Sequence, residues 1–317
     1  MKLRIAGVFS LLIVLTFFSI DCSSKSNPAS PSNPSATPTP DNIPPSFVTQ
    51  WGSYGSSSLS SPYNLAVNST GTTIYVADDG TDKIDLFTSS GATIAQWSGY
   101  GAGTFGSVFA ITLDSAGNVY VPDYSTDVVD EFTSTGVTIR QWAGSGAGVF
   151  GSAYGIAVDP AGNVYIADGT HNMVDKFTNS GTYVTQWAGY GGTAWGYPEA
   201  ILATSSSHLY VVDGGNNYID EYTSAGVTVK QWGGSGIGNG QFSNPYGIAV
   251  DYSGNLYVAD RGNNRIQKFT ASGTYLTQWG VVGIGSGTFN GPAAVAVDSA
   301  LNIYVADTGN ALIQKFH

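Results

Sequence analysis

The chain has 317 residues, of which 42% are hydrophobic and only 10% charged, so it has ample material for a packed core. Its net charge of −11 repels nucleic acid and anionic membranes, which disfavours both as direct partners. A single cysteine, Cys22, excludes an intramolecular disulfide and a cysteine metal cage.

Residues 1–22 predict a secretory signal. Lys2 and Arg4 precede an uncharged, mostly apolar run over residues 5–20 that is short for a membrane-spanning helix. Cys22 closes the run, and this arrangement resembles a bacterial lipoprotein signal, which implies that Cys22 is lipidated and becomes the new N-terminus. Asp21 departs from the small residue that such a signal carries before its cysteine. An ordinary cleaved signal and an uncleaved N-terminal anchor therefore stay open as alternatives.

Residues 23–46 are rich in Ser, Pro, Asn and Thr and contain almost nothing to bury. Such a composition cannot offset the entropy cost of ordering, and it predicts a disordered, extended tether. A signal, a tether and a folded body together predict an exported protein of the cell envelope. It would be either secreted or anchored as a lipoprotein, with the lipid as its only contact with the membrane.

Glutamine-tryptophan pairs mark an internal repeat in the remaining chain. Successive tryptophans are separated by 46, 45, 45, 45 and 47 residues, and periods of this size with several short strands are typical of propeller blades. The periodic tryptophans are Trp51, Trp97, Trp142, Trp187, Trp232 and Trp279.

The fifth repeat shows the content of one blade. The segments "YGIAVD", "LYVAD", "RIQKF" and "TYLTQW" are strand-like and are separated by turns rich in Gly, Asn and Ser. The last repeat stops at "LIQKF", whereas the body begins at "FVTQW" with no strands before it. Residues 47–317 therefore predict an all-β, six-bladed β-propeller of four-stranded antiparallel blades, closed by the N-terminal strand, which completes the last blade.

The pattern "GIAVD…GNLYVAD…GNNRIQKF" resembles the NHL repeat, and the resemblance extends over residues 47–317. It departs from the pattern in the first repeat, where Asn68 replaces an aspartate, and in the fourth, which reads "AILATSSSHLYVVD". The resemblance implies a six-bladed propeller. NHL-like propellers include RNA-binding and protein-binding modules, bacterial sensor domains, and a few lyases and lactonases, so it does not choose a function.

A carboxylate ends the second strand of every repeat. Six equivalent copies indicate a scaffold role, because one active site needs one constellation and not six. We expect these groups to accept hydrogen bonds from backbone amides of the adjacent turns. The aspartates are Asp78, Asp123, Asp168, Asp213, Asp260 and Asp307.

A ligand site has to break the sixfold pattern. Strand directions alternate, so the loop into each first strand and the turn after each second strand share one face, here called the top face. One position there, at the entry to the first strand, varies among aromatic, acidic and small residues. We expect it to surround the channel mouth and, with Trp195 of the loop before Glu199, to bind a protein, peptide or glycan. The alternative is that these rings only cap the core. The varying residues are Tyr63, Phe109, Tyr154, Glu199, Tyr246 and Ala293.

Catalysis has little support in the sequence. His171, His208 and His317 fall on different parts of the predicted fold, which argues against a three-histidine zinc site. Arg261 and Arg265 form the only close basic pair on a top loop, which is too little for RNA. We predict no catalytic residue, metal site or cofactor, although a calcium site using Glu199 stays open. The preferred function is a non-catalytic ligand- or protein-binding propeller displayed on the bacterial cell envelope. The alternative is a calcium-assisted hydrolase or lyase of the lactonase-like propeller type.

Overall fold

The computed structural model describes residues 41–55, 57–144, 148–205 and 207–317. Six four-stranded antiparallel sheets form the blades of a propeller, which confirms the predicted fold. Within the same residues, no helix has the length and apolar character needed to span a membrane.

The strands follow the repeats in chain order. Blade 1 contains β4 (Pro62–Val67), β5 (Thr73–Asp78), β6 (Lys83–Thr88) and β7 (Thr93–Trp97). Blade 2 contains β8 (Thr112–Leu113), β9 (Val119–Asp123), β10 (Val128–Phe132) and β11 (Thr138–Ala143). Blade 3 contains β12 (Ala153–Val158), β13 (Val164–Asp168), β14 (Met173–Phe177) and β15 (Tyr183–Trp187). Blade 4 contains β16 (Pro198–Ala203), β17 (His208–Asp213), β18 (Tyr218–Thr223) and β19 (Thr228–Gly233). Blade 5 contains β20 (Pro245–Val250), β21 (Leu256–Asp260), β22 (Arg265–Phe269) and β23 (Tyr275–Trp279). Blade 6 contains β24 (Pro292–Val297), β25 (Ile303–Asp307), β26 (Leu312–Phe316) and β1 (Phe47–Trp51), and a small hairpin, β2 (Ser53–Tyr54) with β3 (Ser57–Ser58), leads into blade 1.

Closure of the ring depends on β1. This strand pairs antiparallel with β26, so that Phe47 lies opposite Phe316 and Trp51 opposite Ile313. Backbone hydrogen bonds continue the pairing by one step, because the Ser46 N–H donates to the His317 carbonyl at 2.8 Å. The predicted completion of the last blade by the N-terminal strand is therefore observed, and β26 is left with no unpaired edge.

Apolar cores lie between neighbouring blades. The ring of Trp97 in blade 1 packs against Phe132 of blade 2, with centroids 5.6 Å apart. Gly136, in the turn after β10, covers the same indole in a left-handed conformation with φ of 84°, and a Cβ there would lie only 2.3 Å from Nε1 of Trp97. The periodic tryptophans therefore fill the gaps between blades, as the sequence predicts.

The aspartates that end the second strands fasten the top loops. Asp78 accepts a hydrogen bond from the Ser61 N–H at 2.6 Å, and Asp260 accepts one from the Ser243 N–H at 2.8 Å. The donors lie 17 residues earlier in the chain, in the loop that enters the first strand. These carboxylates thus have the expected scaffold role, and they hold the entry loops in place beneath the top face.

The N-terminal strand enters the blade from the opposite, bottom face. Asp41 accepts hydrogen bonds there from the Asn255 side chain at 3.2 Å and from Nζ of Lys268 at 3.0 Å. Asn255 belongs to the turn between β20 and β21, which lies on the bottom face. Asp41, the first described residue, therefore contacts the face that lies opposite the long loops.

Candidate functional site

The innermost strands enclose a central channel with a cavity volume of about 240 Å³. Its walls consist mostly of aliphatic side chains, with the polar side chains of Asn64 and Thr112 among them, and no charged residue lines it in the described parts of the chain. Charged groups that could select a ligand therefore have to come from the ends of the channel. The lining segments are 64–67, 111–113, 155–158, 200–203, 247–250 and 294–297.

Aromatic side chains gather over the top end of this channel. The ring of Tyr63 contacts Phe109, with centroids 4.9 Å apart, and Tyr246, at 5.4 Å. Phe109 also contacts Tyr154 at 5.9 Å. Tyr63 and Tyr246 belong to blades 1 and 5, and they meet because blade 6 carries only the buried Ala293 between them. The structure thus brings the predicted aromatic residues together in one cluster.

These rings differ in how far they are exposed. Tyr63, Phe109 and Tyr154 are half-buried, so each presents part of its surface to solvent. Tyr246 is only 6% exposed. We conclude that Tyr246 supports the cluster from within, whereas the other three rings can reach a ligand.

Trp195 lies in the core, which corrects the expectation that it belongs to the rim. It is 3% exposed, its Nε1–H donates to Oδ2 of Asp220 at 2.7 Å, and its ring packs on Tyr222. The sequence does carry a signal for this placement, because Trp195 stands three residues before the first strand of its blade. Counted in the repeat, it stands four residues before the rim position, and the other five blades have a buried apolar residue there: Leu59, Phe105, Phe150, Phe242 and Phe289.

Two further residues join the cluster without having been predicted from the sequence as rim residues. Tyr124 contacts Phe109, with ring centroids 4.9 Å apart, and its hydroxyl lies 3.5 Å from that of Tyr154. The guanidinium of Arg261 lies 5.2 Å from the centroid of Tyr63 and 5.0 Å from that of Tyr246. Both residues directly follow the aspartate that ends the second strand. This position also varies around the ring, and that variation is the signal that could have found them: Asp79, Tyr124, Gly169, Gly214, Arg261 and Thr308.

We call this group the mouth cluster. It contains Tyr63, Phe109, Tyr124, Tyr154, Glu199, Tyr246 and Arg261.

Glu199 contributes the carboxylate of the mouth cluster. Burial raises its pKa to about 7, while a hydrogen bond with Tyr246 and the positive charge of Arg261 act in the opposite direction. Its Oε2 atom is buried and has no hydrogen-bond partner among the described residues. Gly214 makes room for this side chain, because a Cβ at that position would lie 2.5 Å from Cγ of Glu199. The carboxyl group can therefore change protonation state near neutral pH.

The histidines and the remaining acids form no metal site in the described chain. Nδ1 of His171 lies 2.6 Å from Oδ2 of Asp168, so His171 caps the scaffold carboxylate of its own blade. His208 pairs with Glu221. Among the described residues, no three His, Cys, Asp or Glu side chains lie close enough together to hold a metal ion.

Comparison with known families finds the NHL repeat. Its model matches residues 242–269 and 289–316, which lie in blades 5 and 6. A search of curated protein sequences finds no significant match. The chain is therefore a six-bladed β-propeller that contains NHL repeats.

Several solved structures have a similar fold. Virginiamycin B lyase from Staphylococcus aureus has a TM-score of 0.59 at 18% identity, over 84% of this chain and 87% of that one. An auxiliary nutrient binding protein from Bacteroides ovatus has a TM-score of 0.65 at 16% identity, over 82% and 69%. A protein of unknown function from Bacteroides thetaiotaomicron has a TM-score of 0.66 at 19% identity, over 86% and 72%. At these identities the likeness concerns the fold alone.

Proposed function

We propose that the protein is a non-catalytic binding propeller that takes a small ligand, or a short segment of a larger one, in the mouth cluster on its top face. The observation that carries this proposal is the convergence of half-buried aromatic rings with one guanidinium and one carboxyl group over the end of a channel without charged lining residues. The similarity of fold to a nutrient binding protein supports the same class of function.

A purely structural cap would not need this composition. Ala293 shows that a small apolar residue is accommodated at the same repeat position. Keeping Glu199 and Arg261 partly desolvated costs free energy that a cap of apolar side chains would avoid. Aromatic surfaces beside a few convergent polar groups are the usual composition of a ligand pocket.

The proposal can be tested with a variant that removes two half-buried rings of the mouth cluster, Tyr124→Ala with Tyr154→Ala. We expect at least one member of a panel of short peptides and oligosaccharides to raise the melting temperature of the wild type, because binding to the native state stabilises it. The double variant should lose that rise, while its own melting temperature should change little because both rings are only half-buried. Differential scanning fluorimetry measures both quantities.

Tyr252→Ala is the matched control, because Tyr252 is 68% exposed and lies in a turn on the bottom face. It should keep the full response to the ligand. A response that survives in the double variant would place the ligand elsewhere and contradict the proposal, as would a panel without any response.

A second candidate function is an enzyme that uses Glu199. Its burial and its pKa of about 7 suit a general acid or base, and virginiamycin B lyase shows that a similar fold supports catalysis in that protein. The calcium-assisted form fits poorly, because the described residues place no group of three metal-binding side chains around Glu199. Turnover of a lactone substrate that is lost in Glu199→Gln would replace the binding proposal.

We also propose that the propeller is displayed on the cell envelope through Cys22. This residue, the signal and most of the tether lie outside the described residues, so the proposal depends on the sequence alone. Cys22→Ala is expected to move the protein from the membrane fraction to the soluble fraction, because the acyl chains on Cys22 would be the anchor. Immunoblots of the separated fractions measure this. A variant that stays in the membrane fraction after cleavage of the signal would exclude lipidation as the anchor.

A further inference from the structure

Arg261 is held at the mouth by aromatic rings, and its charge acts on the nearby Glu199. Its guanidinium lies over the faces of Tyr63 and Tyr246, at 5.2 and 5.0 Å from the ring centroids. It forms no hydrogen bond or ion pair with any described residue. Guanidinium groups carry five N–H donors in a planar fork. Here the two rings fix the position of the guanidinium, and its N–H donors have no acceptor among the described residues.

The other arginines of the described chain differ in this respect. Arg265 is buried and donates from Nε to Oδ2 of Asp260 at 2.7 Å, and it also holds the carbonyl groups of Ile237 and Gly238. Arg140 pairs with Glu131, with Nε and Oε2 2.6 Å apart. Arg261 and Arg265 are close in sequence, but only Arg261 points to the mouth. An arginine held by two rings, with no acceptor for its N–H groups among the described residues, indicates a site for an anionic group.

Resting on the proposed function, we infer that the ligand carries a carboxylate, which pairs with the guanidinium of Arg261 while the rest of the ligand packs on the neighbouring rings. The planar fork of arginine matches a carboxylate through two parallel hydrogen bonds. A doubly charged phosphate fits less well, because Arg261 is the only cation of the mouth cluster and the chain as a whole carries a net charge of −11.

Glu199 makes this binding sensitive to pH. The charged and titratable groups that face it are Arg261, Tyr246 and Tyr154. When Glu199 is neutral it does not repel the carboxylate of the ligand, and its O–H group can donate a hydrogen bond to that carboxylate. Burial raises its pKa to about 7, so affinity should be higher at pH 6 than at pH 8. In Glu199→Gln the affinity should stay near the pH 6 value of the wild type at both pH values.

The experiment compares acidic and neutral forms of two ligand types by isothermal titration calorimetry. The sugar pair is digalacturonate with digalactose, and the peptide pair is a Gly-Gly-Phe tripeptide with its C-terminal amide. We expect one acid to bind better than its neutral partner, and the pair that responds identifies the source of the carboxylate. Arg261→Gln should lower the affinity for that acid at least tenfold and leave the affinity for its neutral partner unchanged. Arg261→Lys, which keeps the charge and loses the fork, should give an intermediate loss.

Lys230→Gln is the control for the change in net charge, because Lys230 is exposed on the outer strand of blade 4. It should bind as the wild type does. The inference is overturned if neither acid binds better than its neutral partner, or if Arg261→Gln binds the acid with unchanged affinity. If the neutral ligands bind and lose affinity in the Tyr124 and Tyr154 double variant, the proposed function stands while the carboxylate inference fails. If nothing in either pair binds at the mouth, the carboxylate inference fails and the wider ligand panel decides the proposed function.

Discussion

A chain that begins at Gly52 is expected to lose most of its stability, whereas a chain that begins at Asp41 should melt as the full protein does. The first truncation removes β1, and with it the rings of Phe47 and Trp51 and the backbone pairing to β26. Loss of a fully buried aromatic side chain costs about 3–5 kcal/mol. Phe47 and Trp51 are half-buried, so each should cost less, but the lost pairing to β26 adds to their sum and brings it close to the total stability of many domains. The second truncation keeps β1 and the contacts of Asp41 with the bottom face.

Thermal and urea unfolding of the two truncated chains measure this difference. A synthetic peptide of residues 45–52, added in excess, should restore part of the lost stability because it can pair with the open edge of β26. Equal melting temperatures for the two chains would contradict closure of the ring by β1. A destabilised chain that gains nothing from the peptide would point to loss of another contact.

The second large effect concerns a buried pair of acids in blades 1 to 4. In blades 5 and 6 the third strand carries a glutamine at this position, and Nε2 of Gln267 donates to Oδ2 of Asp260 at 2.9 Å. In blade 3 the equivalent residue is Asp175, which is 1% exposed. Burial, followed by the negative charge of Asp168, raises the pKa of Asp175 to about 7. The corresponding carboxyl groups have pKa values raised to about 6: Asp85, Asp130 and Asp220.

Asp175→Gln is therefore expected to stabilise the protein at pH 8 by roughly 2 kcal/mol. Each unit of pKa shift corresponds to about 1.4 kcal/mol. The expected gain is smaller than the whole shift of Asp175 would give, because glutamine also has to fit the packed position. The folded state holds a proton on Asp175 between its ordinary pKa and about 7. Stability of the wild type should accordingly fall as pH rises through this range. At pH 4 the carboxyl group is neutral in the folded state, so the advantage of glutamine should nearly disappear.

Urea unfolding at pH 4, 6 and 8 tests this expectation. His171, whose pKa is raised by Asp168 and to a smaller extent by Asp175, is replaced by asparagine in both chains so that its titration does not contribute. Asp175→Asn serves as a second variant, because glutamine adds a methylene to a packed position. A stability difference that is independent of pH in both variants would show that folding does not raise the pKa of Asp175.

The blades and their number could be predicted because every repeat carries the same pattern of strands and turns. Six copies of one strand and turn pattern, with a Gln-Trp pair in each fourth strand, predict both the blades and their number. The incomplete last repeat and the extra strand at Phe47 predict closure. Most of the mouth cluster could also be predicted, because packing keeps the residues of the strands similar in every repeat, whereas the residue at the rim position varies.

The rest of the site differs in how far the sequence could predict it, because the repeat position of Trp195 does indicate burial, whereas the contact of Arg261 with Tyr63 is not encoded in repeat position. Trp195 was expected at the rim, yet its position three residues before the first strand turns it into the core. Arg261 reaches Tyr63 only because Ala293 in the intervening blade is small. Contact across a blade depends on the three-dimensional course of several loops, and no single segment of sequence contains that information.

The strand β1 also determines how the domain would bear tension. It enters at the bottom face, next to His317, and runs toward the top face, where the mouth lies. A pull on the N-terminal end against a ligand held at the mouth would therefore act along the axis of β1. The hydrogen bonds to β26 lie across that direction, so a shear load stretches them together rather than one after another. A protein held by its N-terminal segment would thus carry mechanical load through the same strand pair that closes its ring.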